Sequence, residues 1–414
     1  MVTRSLAAGL CLAVIALPCL ADPKPAVWPQ WRGPTRDGLL RGPAWPDRLG
    51  DHLELLWRVD LAEGYPGPVV AEDRVFVAET KAKSDEVVRC LDRRTGKQLW
   101  EYSWKGSMTV PFFAAANGSW IRSTPAYDGE SLFVAGMRDV LVCLDAKTGQ
   151  PRWKADLRER YQAELPAFGF VCSPLVDGDA VYVQAAASLL KLDKRTGRTV
   201  WQALKEAGGM YGSAFSSPVV ATLRGKRQLV VQTRTSLAGI DPQSGGVLWK
   251  QDIPATRGMN ILTPTVYQDG IFISAYGAKT YLFRPGEDGV KTAWTLPMDA
   301  NMSSPVVVGR HAYLHLKNQR LTCIDLDSGK ARWTTAQSFG KYWSMVAQGD
   351  KILALDQRGV LMLLRADPDR FTRLDEKRVS EQETWGHLAV AGDELFVREL
   401  KGLAAFRWRG AKAE

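Results

Sequence analysis

Three or four positions before each of six recurring prolines (Pro68, Pro125, Pro174, Pro218, Pro264 and Pro305) the chain carries a residue equipped to hold a ligand. These are Tyr65, Arg122, Phe170, Phe215, Asn260, and Asn301 with Met302. Two degenerate versions of the phrase add Lys341 with Tyr342, and Trp385. Cationic groups bind carboxylates, aromatic faces stack on planar rings, and amide oxygens ligate hard cations. Asp299, beside Asn301, is the acid best placed in this series to serve as a base. Glu164 and Glu206 fall in neighbouring loops, and nothing local fixes them toward the others.

Residues this far apart must be brought together by the fold, and the sequence shows a repeating scaffold. Asp92, Gly96 and Trp100 recur as Asp145, Gly149 and Trp153, then as Asp193, Gly197 and Trp201. The same spacing returns in Asp241, Gly245 and Trp249, and in Asp325, Gly329 and Trp333; a further copy is eroded to Gly289 and Trp294. A period of ~40 to 50 residues belongs to propellers and solenoids. Within each unit the proline opens a short apolar strand, a turn such as Asp128-Gly129 closes a hairpin, and a third strand ends at the Asp. Asp bonds the amides of the next turn, Gly takes its positive φ, and the Trp on the fourth strand packs between units. Four antiparallel strands make one blade, so the fold expected is an all-β, eight-bladed propeller, or seven-bladed if the degenerate stretches near 280 or 370 are miscounted. The last unit, ending near Phe406, is one strand short. Residues 53–59, with their own Trp57, can supply that strand and close the ring.

The propeller is thus expected over 53–408, preceded by an arm over 22–52 and followed by a tail over 409–414. Arg4, the apolar run Leu6 to Leu17 and the Pro-Cys-Leu-Ala that follows suit a secretory leader over 1–21, cleaved after Ala21. That implies export to the periplasm or another extracytoplasmic space. No later segment is long and apolar enough for a membrane helix. The net charge of +9, reduced to +8 without Arg4, is spread among interleaved acids and suits a solvated surface or an anionic envelope partner, not nucleic acid. Cys90, Cys143, Cys172 and Cys323 remain after processing. Three precede an aliphatic-Asp pair in the same register, which suits free core thiols. Four scattered histidines offer no metal-ligand spacing, and the nucleophile-elbow, phosphate-loop and dinucleotide patterns are missing. Ring closure removes the need for a partner strand, so a monomer is expected.

The turn phrase ending in Trp resembles the tryptophan-docking repeat of pyrroloquinoline quinone (PQQ) enzymes and their non-enzymatic relatives, over nearly the whole mature chain. Both quinoprotein alcohol dehydrogenases and the envelope scaffold that assists outer-membrane β-barrel assembly look to share it. The opening Trp28-Pro29-Gln30-Trp31-Arg32-Gly33-Pro34 resembles that of exported PQQ-like propellers with no assigned reaction; locally it suits an arm packed across a blade face or plugging the closure seam. For a quinoprotein the resemblance implies calcium or a lanthanide held by a carboxylate and Asn, an Asp base, and often an adjacent Cys-Cys pair. Here Arg122 and Lys341 would take PQQ's carboxylates and quinone oxygens, Trp385 or Phe170 would stack, Asn260 and Asn301 would donate oxygen, and Asp299 would be the base. No Cys-Cys occurs, and the long insertions that roof such cofactors are missing. The expectation is therefore a non-enzymatic exported scaffold that binds an envelope protein or anionic component and holds no cofactor. The alternative is a PQQ- and calcium-dependent dehydrogenase of an alcohol or sugar. A glycan-binding propeller is a third reading, resting on the mouth aromatics.

Overall fold

Each proline-led phrase folds as the short innermost strand of a four-stranded antiparallel sheet: Val69–Val70, Ala126–Tyr127, Leu175–Asp177, Val219–Leu223, Thr265–Tyr267 and Val306–Val308. In the first sheet that strand pairs with Arg74–Lys81, then Asp85–Asp92, then Gln98–Lys105 on the outside. The computed structural model describes residues 26–42, 44–208, 212–287 and 289–409; the leader over 1–21 and all but the first residue of the tail lie outside them. Among the described residues eight such blades surround one axis. Both degenerate units are complete blades. Trp343–Gln348, Lys351–Asp356, Val360–Arg365 and Thr372–Arg378 form the seventh, while Ala389–Ala391, Glu394–Glu399 and Gly402–Trp408 form most of the eighth. The eighth is finished from the other end of the chain, where Leu53–Asp60 pairs antiparallel with Gly402–Trp408 from Leu53 opposite Trp408 to Asp60 opposite Gly402.

The strand faces follow from blade stacking. Middle strands are sandwiched between neighbouring blades and buried throughout, as in Ser131–Gly136, whereas outer strands such as Pro151–Asp156 are largely exposed. The turn phrase rivets one blade to the next. The Asp92 carboxylate accepts from the Thr95 amide at 2.8 Å and from its hydroxyl at 2.7 Å, with Gly96 at φ +72°. The indole of Trp57, from the preceding blade, lies flat over that glycine, where an added Cβ would sit 2.8 Å from the ring; its Nε1 donates to the Arg93 carbonyl at 2.9 Å. Trp100 over Gly149, Trp153 over Gly197, Trp201 over Gly245 and Trp294 over Gly329 repeat this. Trp249 departs from it. Gly239 on the neighbouring strand leaves room beside it, and its Nε1 turns to Gln228 Oε1 of its own blade at 2.7 Å. Cys90, Cys143 and Cys323 are free and buried, each paired across the strands with the Trp of its own blade.

The Ser-Ser-Pro phrases form a second set of ties, a belt of hydroxyls around the axis. Thr124 Oγ1 accepts from the Gly67 amide at 3.0 Å, Ser173 Oγ from Thr124 at 3.2 Å, and Ser217 Oγ from Ser173 at 3.0 Å. Ser304 Oγ accepts from Thr263 at 3.1 Å, and Ser344 Oγ from Leu388 at 2.7 Å.

Candidate functional site

The loops that lead into the inner strands meet at one end of the axial channel, called here the upper mouth. What lies beneath it is the N-terminal arm. Starting at Ala26, the arm enters the channel, where Trp28 exchanges two backbone hydrogen bonds with Val70 of blade 1 (2.8 and 2.9 Å) and the Pro29 carbonyl accepts from Tyr127 of blade 2. It leaves by Leu39–Leu40, which adds to blade 7 as a parallel fifth strand against Ala347 and Gln348. The arm therefore plugs the axis rather than lying over a blade face. Trp28 is fully buried, stacked on His387 at 6.1 Å; Trp31 meets the same imidazole edge-on at 4.9 Å and donates to Thr263 Oγ1 at 2.9 Å. Burial and the Arg32 charge push His387 down to about 3, so it is a neutral packing ring at neutral pH.

Two arginines anchor the plug. Arg36 donates to the carbonyls of Pro174 (2.7 Å) and Ser173 (3.1 Å) and to Gln30 Oε1 (3.1 Å). Arg32 donates to the carbonyls of Asp37 at 2.7 Å and of Pro305. Burial draws both guanidiniums down to about 10. They remain charged at neutral pH, held by backbone oxygens through part of each fork, while Arg32 Nε and Nη1 and Arg36 Nε are buried without acceptors.

Above the plug is a well of ≈ 190 Å³. Trp31, Ser173 and Ser217 line it together with Tyr65, Arg122, Phe168, Phe215, Met302, Tyr342 and Trp385. Its aromatics form a connected wall: Tyr65 packs edge-on to Trp120 at 5.4 Å and against Trp385 at 5.7 Å, Trp385 stacks on Tyr342 at 5.9 Å, and Phe168 meets Phe215 at 5.5 Å. Arg122 lies over the Tyr65 ring at 5.5 Å and donates through Nη2 to the Gly118 carbonyl at 2.6 Å, while its buried Nε has no acceptor. Burial draws this guanidinium down to about 10.

Of the residues the proline register singles out, Tyr65, Arg122, Phe215, Met302, Tyr342 and Trp385 come together here. Phe170 does not; it is buried in the packing between blades 2 and 3. Asn260 is buried, with its Nδ2 on the Arg234 carbonyl at 3.1 Å. Lys341 is exposed, and Asn301 is half-buried outside the lining. Asp299 sits among the turns of blades 5 and 6, where its carboxylate accepts from the Gly277 amide at 2.8 Å and lies 3.7 Å from Lys317 Nζ. Glu206 accepts from the hydroxyls of Thr233 (2.6 Å) and Thr235 (2.7 Å). Among the described residues no three His, Cys, Asp or Glu side chains converge as a metal centre would require. The misplacements are small in sequence: Met259 and Ile261 line the well where Asn260 does not, and Phe168 does where Phe170 does not. Successive side chains of extended backbone point to opposite sides, so a slip of one residue reverses the assignment. Strand parity is the signal that would have found Met259 and Ile261; Phe168 and Phe170 share a parity, and Gly169 at φ +68° turns the chain between them. Trp31 carries no such signal, because nothing in the arm's sequence says how deep it reaches.

Blade architecture, tryptophan docking and ring closure define a PQQ-like propeller, distinguished by an axis filled with its own N-terminus. The chain belongs to the family described as outer membrane protein assembly factor BamB, whose model matches residues 84–335. Yersinia pestis BamB is 24% identical over 340 residues, covering 79% of this chain and 80% of that protein. The serine/threonine-protein kinase AfsK of Streptomyces griseus is 30% identical over 179 residues, 42% of this chain but only 20% of the kinase. BamB from Moraxella catarrhalis superposes with a TM-score of 0.63 at 16% identity over 87% of this chain and 99% of its own. Quinohemoprotein alcohol dehydrogenase from Comamonas testosteroni superposes at 0.69 with 12% identity over 95% and 82%. At these identities the superpositions establish the fold and leave the activity open.

Proposed function

We propose that the protein is an exported, non-enzymatic scaffold of the cell envelope that binds a protein partner through the loops around the upper mouth. The observation that carries this reading is the disposition of the polar groups a quinoprotein would need. Asp299 is engaged by a backbone amide and a lysine, Asn260 is buried outside the well's lining, and the well holds one guanidinium against the three carboxylates of PQQ. No calcium donor set faces the well from the residues that line it, so the residues present do not fit PQQ with its metal. The leader-like residues 1–21 and the outer-membrane assembly role in the names of the BamB relatives support an extracytoplasmic location.

The test has two arms. Purified protein supplied with PQQ and calcium is assayed for dye-linked oxidation of alcohols and sugars. No turnover is expected, and PQQ-dependent dye reduction abolished by Asp299→Asn would overturn the scaffold reading. In the source organism, a photo-crosslinking residue in place of the exposed Lys341 is expected to yield one discrete adduct with an envelope protein; its absence would count against a partner at this face.

A further inference from the structure

We propose that the well is a receptor site for a small monocarboxylate with a single-ring or branched apolar body, the carboxylate taken by Arg122 and the body held by Trp31, Phe215 and Trp385. This goes beyond the scaffold reading and does not depend on it.

Charge comes first. A buried cation is ordinarily paired, because leaving it unpaired forfeits its hydration. Arg32 and Arg36 meet that requirement in part, with two and three oxygens respectively inside the plug, although Arg32 Nε and Nη1 and Arg36 Nε are left without acceptors. Arg122 meets it least: Gly118 accepts its one hydrogen bond among the described residues, no carboxylate lies within ion-pair distance, and Nε is buried without an acceptor. A guanidinium with free donors beside a pocket matches a ligand carboxylate. Tyr65 beneath it fixes the plane of the fork.

Size and polarity limit the rest. An apolar cavity of about 150 Å³ holds benzene, whereas drug-sized ligands occupy about 300 to 1,000 Å³. At ≈ 190 Å³ the well takes one ring and a carboxylate, not a fused tricycle. Two features make it a monoanion site. Arg122 is the sole cationic side chain in the lining, and the exposed Glu383, which accepts from Trp385 Nε1 at 2.9 Å, puts a negative charge beside the rim. A second carboxylate would have no cation to meet.

The probe is 3-phenylpropionate titrated against the purified protein with tryptophan fluorescence, since Trp31 and Trp385 both line the well. Saturable binding is expected, with the neutral 3-phenylpropionamide weaker by about tenfold or more. Arg122→Met should abolish the preference for the acid. Trp385→Leu, which leaves the guanidinium in place, should weaken acid and amide alike. Acid and amide binding within about twofold of each other, no saturation up to roughly 10 mM, or displacement of the probe by equimolar PQQ would overturn the assignment. None of these results depends on whether a protein partner is found.

Discussion

The two ends of the axis use the same residue types to opposite purposes. In the plug, Trp28 is buried, and Arg32 and Arg36 spend their donors on the carbonyls of blades 3 and 6 and of the arm itself. At the upper mouth, Trp385 is partly exposed and Arg122 holds a single carbonyl. Arg32 and Arg36 hold two and three oxygens and tie the arm to the blades, whereas Arg122 holds one and lines an open well. Residue type does not separate the two; the well beside Arg122 and the single oxygen it holds do.

Substitutions should break this contrast in a graded way. Trp28→Ala removes a fully buried indole from between Val70 and His387 and is expected to cost about 3 to 5 kcal/mol, read by urea unfolding. Arg36→Ala strands the carbonyls of Ser173 and Pro174; relief of the buried charge offsets part of this, leaving a loss of about 2 to 3 kcal/mol on the same scale. A cost below about 1 kcal/mol for either would mean that the arm docks loosely and the axis is not plugged.

The upper face carries a buried charge of its own. Glu86 is fully buried, accepts from the Met137 amide at 2.6 Å, and is pushed by burial up to about 7; Asp139, accepting from Ala186 at 2.9 Å, is likewise pushed up to about 6. Both lie above their unfolded values, so the folded state binds the extra protons. Their contribution to stability is then full below about pH 4 and declines as pH rises through 6 and 7. Glu86→Gln keeps an acceptor for Met137 and should flatten this decline, separating the two melting curves by roughly a few degrees near pH 7.5 but not at pH 4.5. Parallel curves across that range would place the pH dependence elsewhere. The smallest effect is expected at the mouth. Arg122→Met and Trp385→Leu should each shift stability by less than about 1 kcal/mol, because neither fills the core. A larger loss would make the well a structural feature and remove the contrast.

The repeat was legible because its chemistry is local. Asp, Thr or Ser, and Gly at fixed spacing dictate the turn whatever surrounds it, which gave the blade count through the two units that have lost it, and the unpaired eighth blade pointed to Leu53–Asp60. The recurring proline also carried the mouth residues to within one or two positions. Asn260 was misplaced because pleat parity is set by the register of a loop against its neighbours, and Phe170 because Gly169, at φ +68°, turns the chain between it and Phe168; spacing alone encodes neither. Trp249 shows the same limit inside the core. Its phrase is complete, yet it bonds Gln228 across the space left by Gly239 on the neighbouring strand.

By itself, then, the sequence determined the turns, the strand order, the number of blades and the strand that closes them, since each follows from short-range hydrogen bonding and the alternation of apolar residues. Tertiary structure decided that the arm fills the axis, that Asp299 is tied to Gly277, and that Arg122 keeps donors unspent. Those outcomes depend on which groups from distant blades reach the same few cubic ångströms and satisfy one another first, and no local pattern carries that information.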